Sequence, residues 1–306
     1  MLSSQRLHMP KAPKLIEDQI LLLQKRNMKF DNITRASHFL GNISYYRLKG
    51  YWWEMQDDNI NHHFRDDSAF EEVIDLYNFD RHFRLIVFNA IERIEVALRT
   101  KLIYHLSLSQ GPHWYLNSGL FDNQKEFVSF SSKISLEMNR SSEEFIVKHY
   151  QNHPTEHPES WKALEILTLG SLSRLYQNLQ HQLPEKNKIA REFGLFNQKY
   201  LASWLLTTTV IRNIIAHHGR LWNRVIINKY NWPTSTVKSL LNYTPNNNQR
   251  RKIFPILSAL IYMNDEVSPG NTLRLELFNL FASFPKAHLF KMGFPEHWQT
   301  EPIWNK

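Results

Sequence analysis

Leu76-Tyr77-Asn78-Phe79-Asp80-Arg81-His82-Phe83-Arg84-Leu85-Ile86-Val87-Phe88-Asn89-Ala90-Ile91-Glu92-Arg93-Ile94-Glu95-Val96-Ala97-Leu98-Arg99 repeats its apolar residues every three or four positions. Leu76, Phe79, Phe83, Ile86, Ala90, Ile94 and Leu98 form one helical stripe, while Arg81, Arg84, Glu92, Arg93, Glu95 and Arg99 take the other faces. From Ala69 no proline interrupts the pattern before Pro112, so it predicts one long core helix or a helix pair. The Glu95–Arg99 spacing adds only about 0.2–0.5 kcal/mol, which leaves packing of the stripe to stabilise it.

The same period recurs from Gln198 to His217, with Leu201, Trp204, Leu205, Thr208, Ile211 and Ile215 on one stripe and Gly219 placed as a stop. Shorter helices are predicted at Lys14–Arg26, Asn32–Ile43, Lys125–Arg140, Ser142–Tyr150, Ser171–Gln180, Pro184–Phe193, Phe254–Met263 and Leu273–Ala282. Gly170, Pro184 and the loop Gln151–Ser160 separate those in the middle, and Thr244–Lys252 reads as a polar linker. The aromatic and basic stretch Ser44–Trp53 has no clear period, and the ending with Pro285, Pro295 and Pro302 reads as irregular. The fold class is therefore mainly α, a helical bundle. Three segments are expected to form one compact unit: 1–65, helical and aromatic-basic; 66–225, the helical core; and 226–306, a C-terminal helical extension.

The chain has no cysteine, which excludes disulfides, thiolate metal sites and thiol nucleophiles and fits a reducing cytoplasm. Met1–Pro13 carries Arg6 and Lys11 but no apolar run of signal-peptide length, and no window approaches the ~20 apolar residues of a membrane span. A protein kept inside the cell and off the membrane is expected. Lys and Arg number 37 against 29 Asp and Glu, a formal net charge of +8. Such a balance favours a polyanion, with nucleic acid and membrane surface as rivals.

Near the end of the second long helix stand Arg212, Asn213 and His217. Asn213 and His217 are i and i+4, on one face, and Arg212 is long enough to lean toward the same surface. Cleavage of RNA by its own 2′-hydroxyl needs a proton acceptor, a cation at the phosphate and a proton donor for the leaving oxygen. An arginine and an imidazole supply two of these. Capping of the helix's last carbonyls would select the same residue types, so spacing alone leaves both readings open.

Arg212-Asn213-Ile214-Ile215-Ala216-His217-His218, followed by Arg220-Leu221-Trp222-Asn223-Arg224, resembles the signature of the abortive-infection AbiD/AbiF family. Ser44-Tyr45-Tyr46-Arg47-Leu48-Lys49-Gly50-Tyr51 and the blocks Phe79–Arg81 and Ala90–Glu95 are similar to other stretches of that family, so the likeness runs from about residue 15 to 225. The family lies within the HEPN superfamily. The resemblance implies a HEPN-like helical core, a homodimer that brings two motifs together, and metal-independent RNA cleavage that leaves a cyclic phosphate. It implies His217 as general acid or base, Arg212 as phosphate clamp and Asn213 as the residue orienting them; His218 also satisfies the superfamily spacing. No cofactor or metal is implied.

Around this motif several residues have two readings. Glu92 and Glu95 either hold Arg212 or form a solvated helix face. Arg220, Trp222 and Arg224 suit RNA phosphates and a stacked base, or Trp222 anchors the core. Arg47 and Lys49, with the aromatics around them, contact RNA or pack a core. His149, His153 and His157 fall at four-residue intervals, but Pro154 and Pro158 argue against the helix that a zinc site there would need. The sequence thus points to an endoribonuclease toxin of phage defence or toxin–antitoxin type, with single-stranded or loop RNA as substrate and a structured RNA as candidate inhibitor. Its rivals are a non-catalytic RNA-binding module and a protein–protein scaffold.

Overall fold

In the computed structural model the described residues are 12–58, 60–227 and 230–305, which leaves Arg6 and Lys11 outside them. Among the described residues the regular structure is helical: α1 (Ile16–Lys25), α2 (Ile33–Ile43), α3 (Tyr45–Trp52), α4 (Phe70–Gln110), α5 (Gln124–Arg140), α6 (Glu144–Asn152), α7 (Ser160–Ala163), α8 (Leu169–Asn178), α9 (Pro184–Glu192), α10 (Gln198–Ala216), α11 (Ile253–Val267) and α12 (Leu273–Ser283). β-Structure among the described residues is limited to isolated bridges such as Gln56 with Phe64. The mainly α bundle read from periodicity is the observed fold class. No described helix is long and apolar enough to cross a membrane.

The chain divides into two compact units. One runs through Arg81 and includes Phe284–Ala287; the other is His82–Ser283 with the chain from His288 onward. This division falls inside α4, a single uninterrupted helix, rather than at the expected 65/66 and 225/226 positions, and it groups the C-terminal extension with the motif-bearing helices. The expected stripe of α4 is buried save Ile86, which is half-buried, and Arg84, expected on a polar face, is buried with it.

In the first unit, Ser44 resolves the ambiguous aromatic stretch. It ends α2 and starts α3, with φ of 73° and its hydroxyl accepting from the Arg47 N–H at 3.4 Å. α3 then buries Leu48, Tyr51 and Trp52, and the Tyr51 hydroxyl donates to the buried Asp80 carboxylate at 2.7 Å. Asn32 caps α2 by accepting from the Arg35 N–H at 2.9 Å.

The second unit is organised around α4 and α11. Every residue from Ile253 to Asn264 of α11 is buried, so the helix is a core element on all faces, and each large apolar side chain contributes roughly 1.5–3 kcal/mol. Its Asn264 amide donates to the Ala90 carbonyl of α4 at 3.1 Å. Trp304 stacks on Phe254 with ring centroids 5.6 Å apart, and Trp298 meets Phe281 and Phe294, so the proline-rich ending completes this core. Elsewhere on α4, Lys101 and His105 reach Glu192 at the end of α9 at 2.7 and 2.8 Å. Arg99 donates to the carbonyls of Leu164 at 3.1 Å and Leu167 at 2.9 Å, which pins the turn leading into α8.

Gly170, expected between helices, lies in the first turn of α8. At the other end of that helix, Lys186 of α9 is buried and donates from Nζ to the Gln177 carbonyl at 2.9 Å and to that of Leu179. It caps carbonyls that the helix itself leaves unpaired. Burial pushes its ammonium down to about 8, against the opposing charge of Asp122. An unfolded chain keeps the ordinary value near 10.5, so between about pH 8 and 10 the unfolded state binds more protons and stability rises with pH. Thermal melts from pH 7.5 to 9.5 should show wild type gaining stability relative to Lys186→Gln; parallel curves for the two proteins would remove this account of Lys186.

Candidate functional site

α10 begins at Asn197, whose side chain accepts from the Lys199 N–H at 2.9 Å. The helix buries Leu201, Trp204, Leu205, Thr208, Ile211 and Ile215, the stripe expected from sequence. Thr207 to Ile211 are five consecutive β-branched residues, and the hydroxyls of Thr207, Thr208 and Thr209 donate to carbonyls one turn back, at 3.3, 2.8 and 2.9 Å. Tyr262 of α11 lies edge-on to Trp204 at 6.1 Å and donates its hydroxyl to the Gly194 carbonyl at 2.7 Å, which holds α10 on the central helix.

The end of α10 is closed by backbone. His218 donates its N–H to the Ile215 carbonyl at 2.9 Å and Gly219 to that of Ile214 at 2.8 Å, the paired bonds of a Schellman turn. The left-handed residue this turn requires is His218, at φ 55°, one position before the expected glycine. Gly219 is needed for space instead, since a Cβ there would lie 3.0 Å from the Ile214 carbonyl oxygen. Capping of the helix end therefore falls to main-chain groups, and the side chains of Arg212, Asn213 and His217 take no part in it.

Arg212 and Asn213 line a cleft of about 370 Å³ walled by α5, α8 and α10. Lys133 of α5 and Arg174 of α8 share the lining, as do Thr168, Gly170 and Ser171 at the N-terminal end of α8. Thr168 caps that end by accepting from the Ser171 N–H at 3.4 Å, and Lys133 donates from Nζ to the Ser171 hydroxyl at 2.8 Å. Arg212 Nε is buried and has no hydrogen-bond partner among the described residues. The cleft therefore gathers three cations, of which Arg212 keeps its Nε out of reach of solvent.

The other residues singled out from sequence are dispersed. His217 is exposed at the end of α10, outside the cleft lining, and His218 is exposed beside it. Glu95 pairs with Arg99 at 3.2 Å and Glu92 is exposed, so neither carboxylate holds Arg212. Arg224 donates to the Arg220 carbonyl at 3.3 Å, and the Arg220 guanidinium lies 5.8 Å from the Trp222 ring. Trp222 is 1 % exposed and presents no ring face to a base, so of its two readings the structure gives that of a core anchor rather than a stacking platform. Arg47 is exposed and Lys49 lies over Trp53 at 5.2 Å, both in the first unit; Tyr51 and Trp52 between them belong to the core. His149 hydrogen-bonds the Glu156 carbonyl at 3.1 Å and His153 closes α6.

A family model described as Abi-like protein matches residues 38–223, more than half of the chain. The chain belongs to the Abi-like protein family. In this Abi-like protein the matched span starts within α2 and ends just past Trp222, so it holds the whole cleft and the Arg212–His217 segment but leaves α11 and α12 outside. Searches of curated proteins and of solved structures give no match.

Lys133, Arg174 and the Thr168–Ser171 turn carry no signal in the sequence that singles them out. Each is a lone polar residue on an otherwise ordinary amphipathic helix, and only the packing of α5 and α8 beside α10 gathers them. With Trp222 fixed in the core, Trp222→Ala should lower unfolding stability by about 3–5 kcal/mol in denaturant titration. A loss below about 1 kcal/mol would return this ring to the surface.

Proposed function

We propose that this Abi-like protein acts in abortive infection as a metal-independent endoribonuclease. The attacking group is the substrate's own 2′-hydroxyl. As it gives up its proton, the 2′-oxygen bonds to the adjacent phosphorus, the bond to the 5′-oxygen breaks, and that oxygen takes a proton. The products are a 2′,3′-cyclic phosphate and a 5′-hydroxyl. Arg212 balances charge building on the phosphoryl oxygens, His217 transfers one proton, and Asn213 orients the guanidinium or the imidazole. A second copy of the chain supplies the other imidazole, which makes the active form a homodimer.

The observation that carries this reading is Arg212: an arginine on the wall of a cleft that also holds Lys133 and Arg174, with its Nε unpaired among the described residues, five positions before an exposed histidine. A guanidinium held only for stability would use that N–H on a carbonyl or a carboxylate. Membership of the Abi-like family supports phage defence as the setting.

The test incubates wild type, Arg212→Ala and His217→Ala with mixed RNA in EDTA and analyses fragment ends. Wild type should cut and leave cyclic phosphates, and each variant should lose about 10²-fold or more in rate. If wild type leaves the RNA whole while all three proteins bind it equally, the protein is an RNA-binding module instead.

A further inference from the structure

The cleft beside Arg212 has more binding capacity than a phosphate clamp requires. Its volume of about 370 Å³ falls within the ~300–1,000 Å³ of sites that enclose small molecules. Lys133, Arg174 and Arg212 reach it from three different helices, and none of the three pairs with a carboxylate among the described residues. The carboxylate in the lining is Glu126, which is exposed. Hydroxyls of Thr168 and Ser171 and the N-terminal end of α8 add donors and a positive dipole end on the same wall. Phe130, half-buried on α5, gives the cleft an aromatic side. Three cations and an aromatic ring in the lining of one pocket match a nucleotide, with its phosphate and its flat base.

We infer that the cleft between α5, α8 and α10 is a nucleotide subsite, in which Lys133 and Arg174 hold the phosphate next to the one at Arg212 and Phe130 faces the base. The inference rests on the reading of Arg212 as the phosphate clamp and adds two residues and a place for one neighbouring nucleotide. The shared chemistry is a nucleoside phosphate, whether within an RNA strand or as a free nucleotide.

The experiment measures binding without cleavage. A fluorescein-labelled, fully 2′-O-methylated RNA oligonucleotide, which lacks the attacking hydroxyl, is titrated against wild type and against Lys133→Gln/Arg174→Gln at several salt concentrations. Both side chains are exposed, so folding of the variant is not expected to suffer. The double variant should bind at least tenfold more weakly, and its log affinity against log salt should be shallower by about 0.7, the change for loss of the one phosphate that the two side chains share on a single strand. Glu126→Gln should bind more tightly than wild type. Adenosine monophosphate added as competitor separates the sources: displacement of the oligonucleotide at micromolar concentration assigns the cleft to a free nucleotide, and its failure there assigns it to the strand. Equal affinity and equal salt slope for wild type and the double variant would overturn the subsite. A protein that still cut unmodified RNA in that case would keep its catalytic reading, and one that bound through the cleft without cutting would keep the subsite alone.

Discussion

The contact between α8 and α10 sets the site. Gly170 stands where a Cβ would lie 3.3 Å from the Thr209 methyl, so the two helices approach at a distance that a larger residue would widen. Because Thr209 and Gly170 both line the cleft, that spacing also fixes its width. Arg99 works toward the same end from outside. By donating to Leu164 and Leu167 it fixes the turn from which α8 starts, and Lys186 fixes the carbonyls on which α8 ends. One short helix is thus held at both ends by buried or partly buried cations, and the third contact, along its side, is the one that shapes the pocket.

The long elements are legible in the sequence because their signal is local. In α4 and α10 the buried faces repeat at helical period, and α10 ends within one residue of the expected place. Less is legible where burial is uniform or the turn chemistry unusual. α11 has no polar side to mark its limits, so its span exceeds the expected Phe254–Met263 at both ends. The break at Ser44 depends on a serine in left-handed conformation, which no glycine or proline announces. Charge alone places Arg84 in water, and the structure buries it.

For the site, sequence supplies the part that lies on one helix and misses the part that crosses three. Arg212 and Asn213 are visible as neighbours near a helix end, but two explanations compete for them. The Schellman turn decides between these as far as capping goes, since main-chain N–H groups of His218 and Gly219 satisfy the carbonyls that the side chains would otherwise have served. Lys133 and Arg174, forty-one positions apart, have no common feature in the sequence that would link them. Trp222 shows the opposite case, a residue that charge on either side suggests for the surface and that volume and hydrophobicity send inward.

The burial of α11 bears on when the protein can fold. α10 also packs on a helix that is made some forty residues later, and that helix in turn is covered by Trp304. While the ribosome is still synthesising residues 253–304, α10 can settle on α8 and α9, which precede it, but the part of its apolar stripe around Trp204 that meets Tyr262 must wait exposed or be shielded by a chaperone. A chain stalled or cut within that stretch would carry the whole motif and all three helices of the cleft and still lack the buried helix that covers Trp204.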